Sequence, residues 1–168
     1  MSVLDVAIAV RGDYVRRLGP LLASLSAQPV RVHVLHGPLA PWRRVRLRRA
    51  HLLRIDEAKV AGLPVHGYFT AAMWYRILLP DLLPGADRVL YLDADTLILD
   101  DLAPLTELDL GDALVAGVTN VFEEWRGTEH TDRLGLDQRH YFNSGVLLLN
   151  LRELRRSGAM DELRRIVA

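Results

Sequence analysis

Short apolar runs of strand length alternate along this chain with segments of helical spacing, and that alternation restricts the fold more than any other feature. Val3–Val10 is nearly continuous in apolar residues, the signature of a strand buried on both faces, as in parallel sheets. Tyr14–Ala27 follows with helical spacing through Leu18, Leu21, Leu22 and Leu25. Val30–Leu35 alternates and reads as a second strand. Pro41 opens a segment whose pattern predicts a helix to Arg54, with Trp42, Val45, Leu52 and Leu53 as its apolar stripe. Phe69–Leu79 reads as a helix stopped by Pro80. Arg88–Leu92, Ala113–Val118 and the apolar run Phe142–Leu149 read as strands, Thr96–Leu99 as a short extended piece, and Arg152–Arg156 and Met160–Val167 as helices. Strand and helix in alternation predict an α/β fold with a largely parallel sheet. No internal repeat or flexible linker divides the chain. The polar stretch Asn120–His140 has no clear period, and a loop of that length in a compact domain is often functional.

The charge is balanced overall and segregated locally. Lys+Arg and Asp+Glu both number 21, so no net field draws the chain to nucleic acid. Between Arg88 and Arg126 there is no basic residue, while Asp93, Asp95, Asp100, Asp101, Glu107, Asp109, Asp112, Glu123 and Glu124 all fall there. Such a stretch calls for a metal or for basic side chains brought from elsewhere, unless its acids are simply solvated. With Cys 0, disulfides and thiolate zinc sites are excluded. No apolar stretch approaches the roughly 20 residues that span a bilayer, and the N-terminus lacks the form of a signal peptide. The expectation is a cytoplasmic protein, and the dominance of arginine over the single Lys59 suggests a GC-rich bacterial genome.

Two carboxylates stand out. Leu90-Tyr91-Leu92 leads into Asp93-Ala94-Asp95, so an apolar strand delivers acids at i and i+2, which share one side of an extended chain. Both can reach one hard cation, and Ala94 between them leaves room for a ligand. Mg²⁺ or Mn²⁺ held by one or two carboxylates and completed by substrate phosphates is the usual arrangement for nucleotide substrates. A strand end capped by Asx turns is the plainer alternative. Arg76 is the one charged residue between Lys59 and Asp81 and needs an anion, either a ligand phosphate or a structural carboxylate. In Asn143-Ser144-Gly145, Asn143 offers donor and acceptor to sugar hydroxyls, or simply forms a turn. The arginines of the Trp42–Arg54 segment suit phosphates or an acidic surface, or are a solvated face. His33 and His36 read as structural.

Taken in order, Ala72–Pro80, Arg88–Asp95 and Tyr141–Leu151 resemble blocks of the retaining glycosyltransferases of family eight, which include glycogenin and bacterial lipopolysaccharide galactosyltransferases. The resemblance covers nearly the whole chain. It implies a GT-A fold: a Rossmann-like, nucleotide-binding, mostly parallel sheet flanked by helices, over residues 1–168. It also implies transfer of a hexose from a UDP-sugar donor to a carbohydrate, lipid-linked or protein acceptor, with Mn²⁺ or Mg²⁺ as cofactor. Asp93 and Asp95 would hold the metal and, with Arg76, form the catalytic set. Asp13, Tyr14, Ala94, Asn143 and Ser144 would join Arg76 in binding the donor, and Asn120 would touch the acceptor. Arg11 and Gly12 stand where the family often has acids, which bears on uracil selectivity. The family continues beyond this length with further metal and diphosphate ligands, so the sequence reads as the family's N-terminal portion, with weak donor binding and little transfer expected. Membrane-surface contact and self-association are left open. Two other readings compete. In a haloacid-dehalogenase-type phosphohydrolase, Asp93 would be the nucleophile and Asp95 the general acid. The other is a non-catalytic nucleotide-sugar-binding or scaffold fragment.

Overall fold

A computed structural model describes residues 3–65, 70–119, 135, 137 and 141–167. Its centre is a six-stranded sheet in the order β3-β2-β1-β4-β6-β5. The strands are β1 (Leu4–Val10), β2 (Val30–His36), β3 (His51–Arg54), β4 (Arg88–Leu92), β5 (Val115–Thr119) and β6 (Phe142–Asn150). β1 pairs in parallel with β2 and β4, and β2 with β3, while β6 runs antiparallel to both β4 and β5. Only β6 opposes the rest, which fits the expected mostly parallel sheet.

Alternation along the strands builds a core on each face, because successive side chains point to opposite sides. Val6, Ile8, Leu90, Leu92 and Leu148 face one way, against Leu18, Leu21 and Leu25 from the segment between β1 and β2. Ala7, Tyr91, Leu147 and Leu149 face the other way, against Tyr75, Ile77, Leu78 and the C-terminal Leu151 and Leu154. The segment after β1 starts as a 3-10 turn, Gly12–Leu18, and continues as α1 (Gly19–Leu25). Its buried Leu18, Leu21 and Leu25 recur at helical spacing. Two short helices follow in the chain, α3 (Leu79–Leu82) and α4 (Pro104–Glu107), preceded by α2 (Pro41–Arg44). The chain closes with α5 (Leu151–Ser157) and α6 (Ala159–Val167). Asn150 caps α5, its side chain accepting from the Glu153 amide at 3.2 Å.

Three local expectations are corrected. The predicted helix Pro41–Arg54 is α2 plus a 3-10 turn ending at Leu47, and His51–Arg54 is the edge strand β3. The supposed stripe fails with it: Trp42 and Val45 are exposed, and Leu47 is the residue anchored in the core. Pro80 does not stop the Phe69–Leu79 helix. Ala71–Leu78 is 3-10, and it passes directly into α3, where Pro80 lies in the first turn and its missing N–H costs nothing. Thr96–Leu99 forms no strand. Asn120 and nearly all of the long loop lie outside the described residues, as does Phe69. His33 and His36 are buried in β2 and bonded to Asp5 and to the Gly37 carbonyl, as a structural role requires.

Candidate active site

The strand order fixes where a site can form. The chain leaves β1 toward β2 and β3, then returns to the other side of β1 as β4, so the order reverses between β1 and β4. Ligands of open α/β sheets bind outside the C-terminal ends of strands at such a switch point. The register pairs Ile8 with Leu92, so the residues after each leave the sheet at the same edge. A cleft of about 460 Å³ opens there, lined by Ala9–Gly12 and Tyr14 from one strand end, Asp93–Asp95 and Tyr91 from the other, and Thr70, Ala72 and Met73 from the 3-10 segment.

The two acids do not sit on an extended strand. β4 ends at Leu92, and Asp93–Thr96 closes a turn in which the Thr96 amide donates to the Asp93 carbonyl at 3.2 Å. The turn is made by backbone, not by an Asx side chain, and it brings both Asp93 and Asp95 to the cleft wall. Asp95 is exposed, and the Asp93 side chain keeps 37% of its surface open. Among the described residues no cluster of three or more His, Cys, Asp or Glu is placed to hold a metal. A two-carboxylate set of this kind fits Mg²⁺ or Mn²⁺ that completes its shell with phosphate oxygens and water, and does not fit an all-protein cage.

Asp93 is the better supported of the pair. The Tyr91 hydroxyl donates to its Oδ1 at 2.9 Å, and its amide donates to the Gly145 carbonyl at 2.8 Å. Tyr91 and Asp93 share a side because they are two apart, a signal present in the sequence. Burial pushes the Tyr91 phenol well above the usual tyrosine range. The Arg76 guanidinium opposes that shift, and the Asp93 and Asp95 carboxylates add to it. The phenol therefore stays a donor throughout the physiological range.

Arg76 finds several partners behind the cleft. Its Nε donates to the Met73 carbonyl at 2.7 Å and an Nη to the Ser144 carbonyl at 2.5 Å. The guanidinium lies 4.4 Å from the centre of the Tyr91 ring, within cation–π range. Its nearest acid is Asp93, at 3.9 Å. The anion this arginine needs is thus the proposed metal carboxylate itself, which ties the structural and functional alternatives together. Asn143 and Ser144 are exposed and approach the acids from β6. The Asn143 Oδ1 accepts from the Gly145 amide at 2.7 Å, so part of its capacity closes its own turn. Gly145 is packed face-on to Asp93: a Cβ there would lie 2.9 Å from Asp93 Oδ2 and 3.0 Å from Asn143 Oδ1.

A second cluster backs the β1 end. The Tyr75 hydroxyl donates to Glu57 Oε1 in a short hydrogen bond, and Glu57 lies 3.9 Å from the Arg11 Nε. A Cβ on Gly37 would come within 2.7 Å of that carboxylate oxygen. Tyr75 and Arg76 are neighbours, so one 3-10 segment braces both ends of the cleft. Of the residues singled out from the sequence, Tyr14, Asp93, Ala94 and Asp95 line the cleft. Sequence reasoning missed Thr70, Met73 and the supporting Tyr91, and it treated Arg11 and Gly12 only as departures. Asp13 lies on the backbone of the 3-10 turn beside Tyr14.

Comparisons with known proteins bear on the family and the fold. Residues 40–167 match the profile of Glycosyl transferase family 8. The chain is 26% identical over 177 residues to General stress protein A of Bacillus subtilis (strain 168), covering 96% of this chain and 61% of that protein. It is 37% identical over 108 residues to Lipopolysaccharide 1,2-glucosyltransferase of Escherichia coli (strain K12), covering 62% of this chain and 31% of that protein. The galactosyltransferase LgtC, solved in complex with donor and acceptor sugar analogues, superposes with a TM-score of 0.82 at 27% identity, over 98% of this chain and 66% of that one. The chain therefore spans less than two thirds of these relatives, and the shared sheet is the GT-A fold. The phosphohydrolase alternative gains no support from any of them. A profile match over most of its length, on a fold of this kind, means that the chain belongs to glycosyltransferase family 8.

Proposed function

We propose that this chain is the donor-binding part of a retaining, metal-dependent hexosyltransferase that takes a UDP-sugar and serves a carbohydrate-type acceptor. The observation that carries the reading is the pair Asp93 and Asp95 on one cleft wall, at the switch point between β1 and β4. In this reading both acids hold Mn²⁺ or Mg²⁺, which when bound would stabilise negative charge on a departing diphosphate. The other roles belong to the chain's own groups. Tyr14, half exposed at the cleft wall, offers a face on which the base stacks. The Ala94 backbone lies against the ribose, and its small side chain admits the approach. Arg76 holds Asp93 in place and adds positive charge behind the reacting phosphate. Asn143, its Oδ1 committed to Gly145, keeps its amide NH₂ to donate to a donor-sugar hydroxyl. Asp13 and Ser144 complete the donor contacts, and Asn120 is assigned to the acceptor.

The test is thermal melting with UDP and Mn²⁺ together and apart. A ligand at a hundredfold its Kd stabilises by about 2.7 kcal/mol. The expected result is a rise in melting temperature with UDP plus Mn²⁺ that EDTA abolishes and that Asp95→Asn loses without a change in the unliganded melting point. No response to UDP plus Mn²⁺ at any concentration refutes the reading.

A further inference from the structure

One long stretch of the chain is basic throughout. From Tyr14 to Ile55 the sequence holds nine arginines and no acid. Five of them crowd the connection between β2 and β3, in Arg43, Arg44, Arg46, Arg48 and Arg49. Leu47 pins this connection to the core at 1% exposure, while Trp42 at 58% and Val45 at 64% face solvent. Arg44, Arg48 and Arg49 are exposed, and no ion pair or hydrogen bond to these three is found among the described residues. The Arg43 guanidinium lies 4.7 Å from the centre of the Trp42 indole. Beside them runs a mixed groove of about 570 Å³ with Leu22, Val32, Ser26 and Gln28 in its walls and Arg48 and Arg49 among its lining.

Neither half of this arrangement is explained by folding. An exposed tryptophan and valine are left out of the core, and unpaired arginines repel one another. A solvated basic face would not need Trp42, and a protein-docking patch of ordinary kind would be less uniformly cationic. The combination matches an interface that is anionic at its surface and apolar just beneath. Amphipathic rings settle at such a boundary, and arginines meet the lipid phosphates. From these observations we infer that the 41–50 connection is a docking surface for a bilayer containing anionic lipid. Trp42 and Val45 enter the headgroup boundary, and Arg44, Arg48 and Arg49 meet phosphates. This goes beyond the donor site and does not depend on it.

Vesicle cosedimentation tests it with the full chain. The chain should bind phosphatidylcholine vesicles that contain phosphatidylglycerol, release at high salt, and ignore vesicles of phosphatidylcholine alone. Neutralising each arginine should weaken binding about fivefold, and Arg44→Gln, Arg48→Gln and Arg49→Gln together about a hundredfold. Trp42→Ser should weaken binding and remove the blue shift of tryptophan fluorescence on adding vesicles. All four side chains are exposed, so melting temperatures should not move, and UDP plus Mn²⁺ should act on every variant as on the parent. The inference is overturned if the parent ignores the anionic vesicles at low salt, or if the triple variant binds as the parent does. Tighter retention on duplex DNA than on vesicles would also overturn it and assign the patch to nucleic acid.

Discussion

Replacing Gly145 by alanine adds one methyl group at the point where β6 meets the acidic turn. The new Cβ would sit 2.9 Å from Asp93 Oδ2 and 3.0 Å from Asn143 Oδ1. Gly145 does not have positive φ, so the backbone itself accepts alanine and the whole cost is steric. Neither neighbour yields freely. Tyr91 holds the other Asp93 oxygen at 2.9 Å, and the Asn143 oxygen is bonded to the Gly145 amide at 2.7 Å. Overpacking a site of this kind costs about 1–3 kcal/mol. If Asp93 gives way instead, stability is spared and the carboxylate leaves its place. A tenfold loss of ligand affinity then lowers the stabilisation at a fixed hundredfold-Kd dose from about 2.7 to about 1.4 kcal/mol. Melting of Gly145→Ala with and without UDP plus Mn²⁺ reads both outcomes in one experiment. An alanine variant with the parent's melting temperature and the parent's full ligand response would show that the contact has no consequence and refute the reasoning.

Other outcomes follow from the same geometry. Tyr91→Phe keeps the buried ring and deletes the donor to Asp93, so it should cost about 1 kcal/mol in denaturant unfolding and weaken the Mn²⁺-dependent response to UDP. Burial raises the Tyr91 phenol, and burial with the Glu57 carboxylate raises that of Tyr75. Both groups are neutral in the fold and ionise near pH 10 when unfolded, so their stabilisation is complete below that pH. Above it, stability should fall by about 1.4 kcal/mol per pH unit for each tyrosine, until the folded values are passed. A melting temperature that stays flat through the alkaline range contradicts this. Gly37→Ala should cost about 1–3 kcal/mol by driving Glu57 from Tyr75, measured by denaturant unfolding, with Asp93 untouched.

The central strands were legible because burial on both faces leaves no room for polar residues. Val3–Val10 and Arg88–Leu92 therefore announce themselves, and their Cα register places Ala9–Gly12 and Asp93–Asp95 at one edge. β3 was not legible. It is a short edge strand of His51–Arg54, half open to solvent, and its leucines fit a helical continuation of the arginine-rich segment equally well. Pro80 misled because proline breaks a helix interior yet suits a first turn, and only the change from 3-10 to α geometry distinguishes the two. At the site, the acids were readable from composition and spacing. The contacts of Arg76 with Ser144 and Asp93 were not, since they join residues that only the sheet brings together. Asn143 reads from sequence as a sugar ligand or a turn, and its Oδ1 closes its own turn while its NH₂ stays available.

The insertion of β6 between β4 and β5 has a consequence for the order of assembly. The Asp93 amide is bonded to the Gly145 carbonyl, so the acidic turn is finished by a strand synthesised well after β4. A nascent chain can lay down β1 to β4 early and still lack the hydrogen bond that shapes the Asp93–Asp95 turn until β6 has been synthesised. The shape of this cleft wall is thereby tied to the arrival of β6, and a chain interrupted before β6 would carry both acids without the partner that shapes them.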